Sequence, residues 1–99
     1  GLKNGGDRMF EMEELKAVDP KYFNIILLDP YDVSVQSRNT GHYWSLHSPE
    51  YPDKGIVIIF HSHRMEPFHA HGRANSLRQA VKSIQSHDRW QMKGRPRRR

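Results

Sequence analysis

The apolar positions of this chain fall into short clusters whose spacing predicts one small sheet and two helices. The longest β-branched run, Ile56-Val57-Ile58-Ile59, opens the stretch GIVIIFHSHRMEPFHAHG, and residues 55–63 read as the central strand. Residues 64–67 turn the chain and residues 68–71 return. Further upstream, Ile25-Ile26-Leu27-Leu28 is a continuous apolar run and reads as a buried strand. Asp29-Pro30-Tyr31-Asp32 has proline where a type I turn wants it. Residues 33–37 then alternate, with Val33 and Val35 on one face and Ser34 and Gln36 on the other. The turn Arg38-Asn39-Thr40-Gly41 leads to a returning strand over residues 42–47. If Arg38 faces Gly41, then Val35 faces Trp44 and Val33 faces Leu46, while Ser34–Ser45 and Gln36–Tyr43 share the opposite face. A slip of one residue destroys this agreement, so the pairing is strongly specified.

Two segments carry helical signals. Residues 9–17 hold Glu11, Glu13 and Glu14, which suit a helix N-terminal region, with Asp7 as a cap and Asp19-Pro20 as the stop. From about Ser76 to His87, Ser76-Leu77-Arg78-Gln79 forms a capping box, and Leu77, Ala80, Val81 and Ile84 make an apolar stripe. Arg78, Lys82, Gln85 and Arg89 form a second stripe beside it. The expected fold is α+β: a single antiparallel meander sheet of four or five strands, a C-terminal helix packed on one face and a short N-terminal helix. The expected organisation is a flexible N-terminus over residues 1–8, one domain over 9–92 and a basic disordered tail over 93–99.

Composition narrows the function classes. Apolar residues make up 35% of the chain, so the core must be thin. There is no cysteine, which excludes disulfide staples and thiolate metal sites and fits a reducing compartment. No apolar run approaches the roughly 18 residues of a membrane span, and residues 1–8 lack the pattern of a secretory leader. The expectation is a cytoplasmic protein with no membrane partner.

The net charge of +5 is uneven. Residues 1–60 hold six Lys/Arg and nine Asp/Glu, whereas residues 61–99 hold ten Lys/Arg and two Asp/Glu. Lys93, Arg95, Arg97, Arg98 and Arg99 alone supply five positive charges. A basic end suits a polyanion. Lys93-Gly94-Arg95-Pro96, followed by more arginine, resembles the AT-hook core, with Lys93 where that family usually has Arg. The resemblance implies that Gly94, Arg95 and Pro96 lie extended in the minor groove of A·T-rich DNA. Arg78, Lys82 and Arg89 would extend this footprint on phosphates, and Tyr43 and Trp90 could stack on bases.

The histidines supply the second candidate chemistry. On strands, residues two apart share a face, so His61 lies with His63 and His69 with His71. If Ile58, Phe60, Phe68 and Ala70 face the core, the four imidazoles cluster on the opposite side, with His63 facing His69. Three neutral imidazoles and an open fourth position would suit zinc, with Glu66 as a further ligand. Without metal, adjacent imidazoles repel on protonation, and stability should fall below about pH 6. Phe60-His61-Ser62-His63 looks like the HSH of JAMM-type metalloproteases, but His71 and Ala74 occupy the positions of that family's Ser and Asp. Phe68-His69-Ala70-His71 looks like part of the histidine-triad motif of nucleotide hydrolases, but Arg73 stands where the third His belongs. No Gly-x-Ser-x-Gly elbow, Gly-x-Gly-x-x-Gly or Walker loop is present, so no catalytic residue is assigned.

Three function classes follow. The first is a small non-enzymatic accessory protein that binds DNA or RNA through Arg78, Lys82, Arg89 and the tail. The second is a metal-binding protein, conceivably a hydrolase, built on His61, His63, His69 and His71. The third is a protein–protein adaptor that uses the exposed sheet face or an open edge.

Overall fold

The computed structural model describes residues 10–48, 57–63 and 68–94. The element order is α1 (Met12–Leu15), β1 (Phe23–Leu28), β2 (Asp32–Ser37), β3 (Tyr43–His47), β4 (Val57–Ser62), β5 (His69–Ala74) and α2 (Leu77–Met92). The strands form one antiparallel five-stranded sheet in the order β1-β2-β3-β4-β5, a plain meander. This is the expected α+β fold. The central position belongs to β3, not to the strand after residue 55: β1 and β2 lie on one side of β3, and β4 and β5 on the other. The expected N-terminal cap Asp7, the tail beyond Gly94 and the turn residues 64–67, with Glu66, lie outside the described residues, as does Ile56.

Hydrophobic alternation sets the core. Val33 and Val35 of β2, Trp44 and Leu46 of β3, and Val57 and Ile59 of β4 are buried on one face. Val35 pairs with Trp44 and Val33 with Leu46, in the register that sequence complementarity requires. Leu77, Ala80, Val81 and Ile84 of α2 cover this face, and Phe10, Val18 and Phe23 complete the cluster. Glycine has a specific use in the β2–β3 turn. Gly41 adopts φ +81°, and its N–H donates to Ser37 O at 2.8 Å.

β1 is a strand, but only its start is buried: Phe23 lies in the core and Ile25 packs partly against it. Ile26, Leu27 and Leu28 are 45%, 47% and 46% exposed. The strand is at the edge of the sheet, and a bulge at Ile26 breaks its register with β2. α1 is only one turn long. Glu11 N–H donates to the Glu14 carboxylate at 3.0 Å, and the other Glu14 oxygen accepts from Leu77 N–H at 3.4 Å, which ties α1 to the positive end of α2. α2 runs through Trp90 to Met92, beyond the expected end near His87. Its N-cap Ser76 accepts from Gln79 N–H at 3.1 Å.

Asp88 is the buried charge of the core, at 0% exposure. Tyr22 Oη donates to one carboxylate oxygen at 2.6 Å and Thr40 Oγ1 to the other at 3.0 Å. These bonds join α2 to the segment before β1 and to the β2–β3 turn. Burial, followed by the neighbouring Asp88, pushes the Tyr22 phenol up to about 12. Asp88→Ala leaves two part-buried hydroxyls without this acceptor and should destabilise the protein by about 2–4 kcal/mol. Urea unfolding reads this as a lower midpoint, and an unchanged midpoint would show that the three-way junction carries no weight.

Candidate metal centre

The core face of the sheet ends in imidazoles. After Val57 and Ile59, the next inward position of β4 is His61, which is 4% exposed. It pairs across the sheet with Trp44, and the two rings stack at 4.2 Å between centroids. The sequence expectation had placed His61 and His63 opposite the core, with Ile58 and Phe60 facing inward. The structure reverses this. Ile58 and Phe60 are only half-buried on the outer face, and Val57 and Ile59 face inward. The physical reason is that β4 is apolar on both faces, so alternation within it does not choose a side. The choice is made by Trp44 and Leu46 on the neighbouring strand.

β5 reaches the same side through a bulge. Ile59 pairs with Gly72, whereas Phe60 pairs with Ala70, which leaves His71 as the extra residue. The bulge reverses the parity of the strand below it, so His69 faces His61 rather than His63. The ring of His71 lies 5.1 Å from Trp44 and 5.5 Å from His61. His87, one turn beyond Ile84 on α2, lies 5.0 Å from His61 and 5.2 Å from His71. His42, two residues before Trp44 and on its face, stacks on His63 at 4.4 Å. Thus His42, His61, His63, His69, His71 and His87 meet at one corner of the core, and His47 alone of the seven histidines points elsewhere, to Asp32.

Sequence reasoning found four members of this cluster and missed His42 and His87. Both carried a readable signal: His42 has the strand parity of Trp44, and His87 continues the stripe Leu77, Ala80, Ile84 at helical spacing. Among the described residues, one triad has the geometry of a ligand set. One ring nitrogen from each of His42, His61 and His63 lies within 4.8 Å of the other two. His42 Nδ1 and His61 Nε2 are 3.0 Å apart. Two nitrogens on one tetrahedral zinc stand about 3.3 Å apart for bonds of about 2.0 Å, so this pair needs little adjustment. His63 is exposed, and its ring stacks on His42 at the solvent side of the shared point. His69 and His71, expected as ligands, flank His61 outside this triad.

The electrostatics favour the ligating form. Burial first, then the positive charge that His42, His87, His71 and His63 would carry, pushes His61 down to about 3. Burial also pushes His71 down, helped by His87 and His69. His61 is therefore uncharged at neutral pH, with a lone pair available.

The candidate polyanion residues lie elsewhere. Arg78, Lys82 and Arg89 are exposed on α2. Arg78, Lys82 and Gln85 line a groove with Glu13, Lys16 and Asp19 beside α1, so acidic side chains share it. Lys93 is exposed at the end of α2, whereas Arg95, Arg97, Arg98 and Arg99 lie outside the described residues. Among the described residues no helix is long and apolar enough to cross a membrane. No known protein family, curated protein or solved structure matches this chain.

The depressed His61 pKa makes acid destabilising. The unfolded chain takes up a proton near the ordinary value of 6.5, and the folded chain only near about 3, so stability falls as pH falls through that window. Urea midpoints measured against pH, with chelator present, should show this decline. His61→Phe should make it shallower by about one proton, leaving the share of His71. A wild-type profile flat across the window would refute the assignment.

Proposed function

We propose that this protein binds a divalent transition metal ion through His42, His61 and His63. The observation that carries this reading is the convergence of three imidazole nitrogens within 4.8 Å of one another at the solvent-open end of a buried aromatic cluster. Neutral nitrogen ligands suit zinc, cobalt, nickel and copper over magnesium and calcium, which prefer oxygen. Three protein ligands leave the fourth position to water or to an exogenous donor.

Calorimetric titration with zinc should give one equivalent bound, and cobalt should give the visible absorption of a tetrahedral site. His63→Ala is the informative variant, because His63 is exposed and its loss leaves the core intact. It should weaken zinc binding by about tenfold or more. Zinc binding that survives both His63→Ala and His42→Ala unchanged would place the ion elsewhere.

A second reading, contact with DNA or RNA, is favoured by the exposure of Arg78, Lys82, Arg89 and Lys93 along and just beyond α2. It uses none of the metal ligands. Binding of the full chain to A·T-rich duplex, G·C-rich duplex and single strands should weaken with salt, and removal of residues 93–99 should lower both the affinity and the salt slope. Binding that is indifferent to salt and to the truncation would remove this reading.

A further inference from the structure

We propose that Gln91, in the last turn of α2, secures the metal-binding tautomer of His42 by exchanging the ends of its side-chain amide, so that filling the site tightens the hold of the sheet on the end of α2. This rests on the metal reading above. His42 is held at both ring nitrogens: Nδ1 lies 3.0 Å from His61 Nε2, and Nε2 lies 3.3 Å from Gln91 Nε2. The amide N–H of Gln91 therefore donates to His42 Nε2, and His42 carries its proton on Nδ1, from which it donates to His61 Nε2. The Gln91 carbonyl Oε1 is buried and has no hydrogen-bond partner among the described residues.

Metal binding reverses this chain of donors. For His42 Nδ1 and His61 Nε2 to ligate one ion, both must present lone pairs to it, and the proton between them must go. His42 then carries its proton on Nε2, where it meets the N–H group of Gln91, donor against donor. Exchanging the two ends of the Gln91 amide removes the conflict: His42 Nε2–H, polarised by the ion, donates to Oε1 in a stronger bond than the one it replaces, while the NH2 group takes the buried place that Oε1 left. The amide is nearly symmetric in shape, so the exchange leaves the packing unchanged. The proton count of His42 also stays the same, since one proton leaves Nδ1 and one is taken up at Nε2. A histidine ligand whose other nitrogen donates to a carbonyl or carboxylate is the usual outer arrangement of metal sites. Gln91 is therefore a positioning residue, and it lies within one turn of the helix end, where Gly94 N–H donates to Gln91 O and Gly94 takes φ +85°.

The test compares wild type, Gln91→Glu and Gln91→Leu, titrated with zinc. Nitrogen-15 spectra of the imidazoles report the His42 tautomer, and amide exchange reports residues 91–94. In the wild type, zinc should move the His42 proton from Nδ1 to Nε2 and slow exchange at the helix end. Gln91→Glu keeps an acceptor and should bind zinc at least as tightly. Gln91→Leu should bind about ten- to a hundredfold more weakly, without the slowed exchange. A metal-free urea midpoint checks that each variant is folded. Two results overturn the proposal in distinguishable ways. Wild type that takes up no zinc overturns the metal reading and this role together. Wild type that binds, with Gln91→Leu binding within about twofold and showing the same tautomer, overturns the role of Gln91 alone.

Discussion

The stack of Trp44 on His61 is the contact from which the rest of this molecule takes its order. The two residues pair directly across β3 and β4, with ring centroids 4.2 Å apart. The indole is fully buried, and its N–H donates to Ser37 at 3.1 Å, which pins the ring to the end of β2. Once Trp44 faces inward, Leu46 and Val35 must do so as well, and α2 must lie over them. His61 is then buried between the indole and its neighbouring imidazoles, a setting that disfavours its charged form. His71 and His87 approach the same indole edge-on, at 5.1 and 5.4 Å. One large aromatic residue thus sets the side of the sheet, the protonation state of the central histidine and the positions of its neighbours.

Local complementarity explains which parts of this were legible in the sequence. The β2–β3 hairpin was readable because Val33, Val35, Trp44 and Leu46 agree in only one register, and the α2 start was readable because Ser76 and Gln79 stand at cap spacing. β4 was not readable alone. Its run of apolar residues continues through both faces, and only its pairing with Trp44 reveals that His61 turns inward. The bulge at His71 was also hidden, since no residue pattern announces it, and it decides that His69 and His71 join the cluster. Expecting four imidazoles together was correct as grouping and wrong as placement. The α2 residues that face the sheet follow from extending the apolar stripe: Leu77, Ala80, Ile84, His87, Asp88 and Gln91 fall on one side at about 100° per residue.

That same periodicity separates the two candidate activities. Arg78, Lys82, Gln85 and Arg89 occupy the flank of α2 toward α1, where the first three line a groove with Glu13 and Asp19. His87 and Gln91 occupy the other side, against the imidazole corner. A polyanion on the first flank and a metal ion on the second would share a helix but no side chain. The acidic neighbours weaken the case for the groove itself as a phosphate track. They leave Arg89, Lys93 and the residues that follow as the stronger cationic end.

The imidazole corner carries an energetic cost that bears on its meaning. A core that ended in Leu and Ile where it now has His61 and His87 would gain hydrophobic stabilisation and lose its sensitivity to acid. Hydrogen bonding among the rings recovers only part of the difference, because each bond made inside replaces one made to water. The cost is confined to one solvent-open corner, while the opposite end of the same sheet face is closed by Val33, Leu46 and Val57. A ligand that binds only the folded state offsets such a cost by mass action. A metal ion held by His42, His61 and His63 would be such a ligand: the unfolded chain does not bring these three nitrogens together, whereas the fold sets His42 Nδ1 and His61 Nε2 3.0 Å apart.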